Sequence, residues 1–350
     1  MRKFICASIL FLVFSLGFGQ TKGQAWDDLA PPEVGVLWVS PAQGKSARPI
    51  WGHANGMRVG LAPMPGPRGL LRIYTPYLGL EEGRMINFIA VEPIPDGMDK
   101  RGFSELEMSE LDNRRGKRFW SSNDSLSILP CKEEFPASGV ITLENGVEAL
   151  SVFVFVEPFA NGAKVYLRLK FYSDRPYEVE IATYAREDSE KLANCIVTAT
   201  MGNLARLRTL YLTDNKKSAA EIWPDYSGDA FTSHASFQLK EMIRDNKGNY
   251  YFISAPDEKD PQNIEYSPGT NNHWKYEGKY ATQYWYSKKP DQSLLGLVNG
   301  RVVFWASKSP IPGGIAFENF EMKEPFRNGA KFVFGVTPAA PEMFIDSLER

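Results

Sequence analysis

Lys164-Val-Tyr-Leu-Arg-Leu-Lys-Phe-Tyr172 places Val165, Leu167, Leu169 and Phe171 on one face and Tyr166, Arg168 and Lys170 on the other. A period of two is that of a half-buried strand, since successive side chains leave an extended backbone on opposite sides. Buried strands are read at Met85–Val91 and Leu150–Val156. Further strand signals recur at Glu178–Tyr184, Leu207–Leu212, Tyr250–Ile253, Gln283–Tyr286 and Lys331–Val336. With 24 Pro and 29 Gly punctuating 350 residues, the pattern gives many short strands and an all-β fold, a large antiparallel sandwich with few short helices. Helical signals are confined to Ser104–Glu107, which has the spacing of a capping box, Arg186–Asn194, and a terminal segment after Pro341.

The alternating strand follows Glu157-Pro-Phe-Ala-Asn-Gly-Ala-Lys164. Seven of these eight positions recur in Glu324-Pro-Phe-Arg-Asn-Gly-Ala-Lys331, and Glu92-Pro-Ile-Pro-Asp-Gly97 is a weaker third copy. Asn-Gly marks a tight turn. The echo is read either as one turn solution used twice or as two related halves, 26–175 and 176–338, of a domain spanning 26–350.

The first 25 residues have the three parts of an export signal: basic Arg2 and Lys3, an apolar run from Phe4 to Phe18, and a small polar stretch ending Gly23-Gln24-Ala25. The apolar run is shorter than the ~20 residues of a spanning helix. A secreted or periplasmic protein without a membrane anchor is therefore expected. Cleavage would remove Arg2, Lys3 and Lys22, taking the basic residues from 40 to 37 against 42 acidic ones, a net charge of −5. That balance gives no reason to expect nucleic acid as a partner. Cys131 and Cys195 would remain, either as one disulfide or as two buried thiols.

No nucleophile elbow, Walker loop, dinucleotide fingerprint or HExxH motif is present, which argues against nucleotide and cofactor enzymes. No cofactor or metal is expected. Three groups of residues can carry chemistry. Among the three histidines, His53 in Trp51-Gly-His-Ala-Asn-Gly56 and His273 in Asn271-Asn-His-Trp-Lys-Tyr276 are placed in turn-rich, aromatic surroundings; imidazole moves protons near neutral pH. His234, in Ser233-His-Ala-Ser236, is read as a structural hydrogen bonder. Among carboxylates, Glu318 follows the loop Pro310-Ile-Pro-Gly-Gly314, and Glu105 and Glu107 lie beside Arg101, Arg114, Arg115, Lys117 and Arg118, a charge pattern suited to a uronate or sulfate. Trp51, Trp120, Trp274 and Tyr276 are candidate stacking surfaces for sugar rings.

The run Gly313-Gly-Ile-Ala-Phe-Glu-Asn-Phe-Glu-Met-Lys-Glu-Pro-Phe-Arg-Asn-Gly-Ala-Lys-Phe-Val-Phe-Gly335 resembles the closing segment of galactose-mutarotase-like proteins. The resemblance implies a β-supersandwich that binds sugars on a concave face, with Glu318 at the position of that family's late acid/base glutamate. Together these readings give a secreted carbohydrate-active enzyme, a lyase or glycoside hydrolase with a His/Glu acid–base site, acting on a polysaccharide or oligosaccharide. The alternative is a non-catalytic glycan-binding protein with an aromatic platform.

Overall fold

Lys164–Tyr172 supplies a central strand in the computed structural model of the protein, which describes residues 35–64, 66–79, 85–126, 135–200, 202, 205–228, 230–257, 268, 278–302 and 314–349. The export signal, Cys131, His273, Trp274 and Tyr276 lie outside the described residues.

In chain order the strands are β1 (Trp38–Val39), β2 (Ile50–His53), β3 (Arg58–Gly60), β4 (Leu71–Tyr74), β5 (Met85–Pro95), β6 (Phe119–Ser122), β7 (Val140–Glu144), β8 (Val147–Val156), β9 (Val165–Tyr172), β10 (Glu178–Ala185), β11 (Leu192–Ala199), β12 (Leu207–Tyr211) and β13 (Lys216–Ser218). The short helix α1 (Ala219–Ile222) is followed by β14 (Ala235–Gln238), β15 (Ile243–Arg244), β16 (Tyr250–Pro256), β17 (Thr282–Ser287), β18 (Leu295–Arg301), β19 (Ala316–Lys323), β20 (Ala330–Thr337) and α2 (Pro341–Leu348). The terminal helix is where the sequence puts it. Ser104–Glu107 is instead a turn; Arg186–Asn194 is a turn whose end, from Leu192, enters β11, because the strand partners Pro95 and Ile94 outweigh local helical preference.

Two antiparallel sheets result. One has nine strands in the order β1-β2-β3-β4-β5-β11-β19-β18-β14; the other has eleven, ordered β13-β12-β16-β17-β20-β10-β9-β8-β6 with β15 and β7 added at β16 and β8. Both sheets draw strands from either side of residue 175, so the two sequence halves are woven together. The main core lies between the sheets. It takes Val91, Val197, Phe320 and Val298 from the first and Leu150, Val154, Leu167, Leu169, Trp285 and Phe334 from the second. Face-to-face burial of two alternating surfaces is what makes a sandwich stable.

The two copies of the echoed turn serve different connections. The first joins β8 to β9 within one sheet; the second carries the chain from β19 in the nine-stranded sheet to β20 in the other. In each, the leading glutamate is buried and accepts backbone N–H groups: Glu157 from Glu110, Leu111 and Arg118, and Glu324 from Asp291. The shared sequence is thus a shared way of closing a strand end.

The loop between β5 and β6, residues 96–118, folds back beside β5 where β4 stops. Gly102 N donates to Pro93 O at 2.9 Å and Ser104 N to Val91 O at 3.2 Å. Gly69 permits this approach. Its φ is +73°, and a Cβ there would sit 2.0 Å from the carbonyl oxygen of Ser104.

Candidate functional site

Alternation sends Glu92 of β5, Thr198 of β11 and Glu321 of β19 to the outer face of the nine-stranded sheet, opposite to core-facing Val91, Val197, Phe320 and Met322. Register places Thr198 directly across from Glu321. The returning loop lays Arg101 over them, and its Nη2 pairs with both Glu92 and Glu321 while donating to Thr198 Oγ1 at 3.1 Å. Thr198 in turn donates to Glu321 Oε2 at 3.2 Å. Glu105, from the same loop, adds a third carboxylate close enough to Glu92 to act on its ionisation.

The histidine of this site is His234. Thr232 and Gly300 exchange two hydrogen bonds, Thr232 N to Gly300 O at 2.9 Å and Gly300 N to Thr232 Oγ1 at 3.0 Å. β14 then pairs with β18, starting at Ala235 opposite Val298. This brings the His234 ring beside Asn299, with Nε2 at 2.8 Å from Glu321 Oε1. Glu321 is fully buried, whereas the His234 side chain is 38% exposed. A solvent-facing imidazole is therefore held by a carboxylate that the sheet encloses.

Glu318 lies on the same face because β19 carries a bulge. Asn299 pairs with Asn319 but Gly300 pairs with Phe317, leaving Glu318 as the extra residue. Phe317 and Phe320, three apart, can then both enter the core. Gly300 makes this possible, since a Cβ there would meet Ala316 O at 2.6 Å. Glu318 Oε1 pairs with Arg301 Nη2 at 2.7 Å, and the Arg301 guanidinium stacks 4.4 Å above the half-exposed Phe231 ring.

Ionisation differs across this surface. Burial raises Glu92 well above the ordinary glutamate range, helped by Glu321 and Glu105 and opposed by Arg101. For Glu321 burial pushes the same way, but the His234 hydrogen bond and the Arg101 charge outweigh it and the carboxyl is held low. Two carboxylates on one guanidinium cannot both be charged cheaply, so the proton stays on Glu92. Burial lifts Glu105, and lifts Glu318 to about 7 against the pull of Arg301. Among the described residues no group of three or more His, Cys, Asp or Glu side chains is arranged to hold a metal ion.

Of the residues singled out from sequence, Arg101, Glu105 and Glu318 come to this face. Glu107 instead braces its own loop, accepting from Phe103 N at 3.3 Å and Ala160 N at 2.8 Å and pairing with Lys117. The Arg118 backbone exchanges hydrogen bonds with Glu157. His53 ends β2, its ring edge-on to Trp38 and its Nδ1 accepting from Asn55 N; burial lowers its basicity. β2 is five strand positions from β19, roughly 24 Å along the sheet, so His53 and Glu318 do not share a site. Trp51 is fully buried and donates from Nε1 to Ala137 O at 2.9 Å. Trp120 is also buried. It begins an in-register stack, Trp120–Phe155–Tyr166–Tyr184, with centroid spacings of 5.9, 5.1 and 4.9 Å. The rings cover one another's faces, which removes them as a sugar platform. Cys195 is a buried free thiol, its pKa pushed up to about 12 by burial.

From sequence, His234 is read as a structural hydrogen bonder, and Glu321, Glu92, Thr198 and Asn299 are not singled out as site residues. Plain alternation puts Glu321 opposite Glu318; only the bulge aligns them. No protein-family model, curated protein or solved structure matches this chain, so the chemistry of the site must be read from its own residues.

Proposed function

We propose that this protein is a secreted carbohydrate-active enzyme that transfers protons on a carboxylated polysaccharide, with His234 as the base. The observation that carries the reading is the His234–Glu321 pair, an exposed imidazole whose Nε2 is 2.8 Å from a buried carboxylate held ionised. Such a partner accepts from Nε2–H and so fixes the tautomer, leaving Nδ1 for the substrate.

The chemistry that fits is β-elimination. His234 Nδ1 takes the proton from the sugar carbon next to the carboxylate. The electron pair forms a carbon–carbon double bond as the neighbouring C–O glycosidic bond breaks, and the departing oxygen receives a proton from Glu318. Glu318, titrating near 7, carries that proton in neutral and mildly acidic solution. Arg301, beside Phe231 at the surface, suits the uronate carboxylate and would neutralise charge as it develops. The export signal read in residues 1–25 and the resemblance of the C-terminal run to sugar-binding mutarotase-like proteins support the same substrate class.

A hydrolase is favoured by one observation. The carboxylates of Glu92 and Glu321 are driven to opposite protonation states, as an acid and a nucleophile must be. Both, however, are engaged by Arg101, which occupies the place of a scissile bond between them.

Purified protein incubated with polygalacturonate, alginate, hyaluronan and neutral glucans tests the reading, with unsaturated products followed by ultraviolet absorbance and total cleavage by reducing ends. Unsaturated ends from a carboxylated chain, lost in His234→Ala, are expected. Reducing ends without unsaturation would identify a hydrolase, and binding without turnover would leave a glycan-binding protein.

A further inference from the structure

The nine-stranded sheet ends at β14 and the eleven-stranded sheet at β13, and a groove of about 600 Å³ opens at these edges beside α1. Its walls include Asn215, Lys216, Lys217 and Glu221 on one side and Ser236 and Phe237 on the other. This is within the usual size of small-ligand sites. β14 starts immediately after His234, and Ser236, two residues on, is about 7 Å along the strand from it. By alternation Ser236 shares the outer face with His234, while Phe237 points into the core. Ser236 thus sets the groove two residues along the chain from His234.

The charge left in the groove is positive. The Glu221 carboxylate is taken up by the N-cap of α1, accepting from Ser218 N at 2.6 Å and Ser218 Oγ at 2.9 Å. Lys216 is exposed and Lys217 half-buried, its Nζ 5.4 Å from the centre of the Phe237 ring. Among the described residues β13 pairs on one side only, with β12, and β14 on one side only, with β18. Each edge therefore offers backbone N–H and C=O groups to a ligand.

We propose that this groove is a second binding site, for the sugar units that flank the reacting one in an anionic oligosaccharide, with Lys216 and Lys217 meeting their carboxylates. The proposal rests on His234 marking the reacting position. It predicts a dependence on chain length that the reacting centre alone would not give.

The probes are polygalacturonate, alginate and hyaluronan, each as long chains and as disaccharides, with neutral dextran as control. Binding and turnover are measured on the wild type, on Lys216→Ala/Lys217→Ala, and on Lys217→Gln, which keeps most of the side-chain stem. The double variant should bind the preferred long chain about tenfold more weakly, with a shallower salt dependence, and treat the disaccharide as the wild type does. Lys217→Gln should show part of the same loss. Equal affinity of wild type and double variant for the long chain would overturn the groove while leaving the His234 reading intact. Lysine-dependent binding with no turnover would keep the groove and overturn the enzyme. Binding of none of the three anionic chains would overturn both.

Discussion

Glu321 and Glu178 are carboxylates on the outer face of a sheet, the first fully buried and the second 12% exposed at its side chain, and both have an arginine and further polar partners, yet their surroundings differ in kind. Glu178 of β10 accepts hydrogen bonds from Tyr284 and Tyr286, each at 3.1 Å, with Arg175 at 3.5 Å. The helix α2 roofs this cluster: Phe344 stacks on Tyr284 at 4.5 Å, and Ile345 and Leu348 pack beside it. Burial wins there. The Glu178 carboxyl is raised despite Arg175 and the two tyrosines, and both phenols are driven far above their ordinary range. Glu321 instead gains a histidine that reaches solvent, and its carboxyl is held low. The two carboxylates thus differ in what they are coupled to: Glu321 to an imidazole that reaches solvent, Glu178 to two tyrosines packed beneath α2.

Truncation of either residue should separate the two regions, and the largest effect is expected at Glu321. Glu321→Ala leaves Arg101 and His234 facing a vacated charge, which should cost about 3–5 kcal/mol in urea unfolding and abolish turnover. His234→Ala should lower turnover at least ~100-fold and, because it takes one partner from the buried Glu321 carboxylate, cost about 1–3 kcal/mol in unfolding, less than Glu321→Ala. A matching loss of stability would make His234 structural, like the tyrosines of the other face.

Glu318→Gln sharpens the comparison through pH. Because the folded-state pKa of Glu318 is raised from 4.5 to about 7, the folded protein retains a proton that the unfolded chain releases. Wild-type stability contributed by this group is therefore complete below pH 4.5 and falls as pH rises to 7, by on the order of 2–3 kcal/mol. Glu318→Gln should remove that slope. Turnover in the wild type should also fall as pH rises through about 7, and the variant should lose that limb together with most of its rate.

Glu178→Gln should cost only about 1 kcal/mol at neutral pH, and leave turnover unchanged. A fall in turnover would tie the two faces together. A change of similar size, confined to stability, is expected at Gly329, where φ is +79° and an added Cβ would lie 3.2 Å from the Tyr184 ring. Gly329→Ala should cost about 1 kcal/mol or slightly more, with no effect on the chemistry.

The architecture was legible in the sequence because alternation is a local signal: Val165, Leu167, Leu169 and Phe171 announce their strand without knowledge of any neighbour. Pro341 and its helix were legible for the same reason. The site was only partly so. Arg101, Glu105 and Glu318 could be singled out by charge and turn context. Glu321, however, comes to the face of Glu318 through a bulge that depends on Gly300 in another strand. His234 looked ordinary because its neighbours, Ser233 and Ala235, are plain; what distinguishes it is Asn299 and Glu321, far along the chain. His53 and Trp51 misled in the opposite sense. An aromatic, glycine-rich context resembles a binding loop, but Met57 and Arg58 return so closely on Gly52 that the stretch forms a tight strand pair. Pairing across sheets, which sets these distances, has no signature in a single segment.

The most direct test of the His234–Glu321 assignment is the rate at which unsaturated ends appear from a carboxylated polysaccharide, compared between wild type, His234→Ala and Glu178→Gln at one neutral pH. Loss of at least ~100-fold in His234→Ala, with Glu178→Gln at the wild-type rate and all three folded, is the expected result. A wild-type rate in His234→Ala would contradict it.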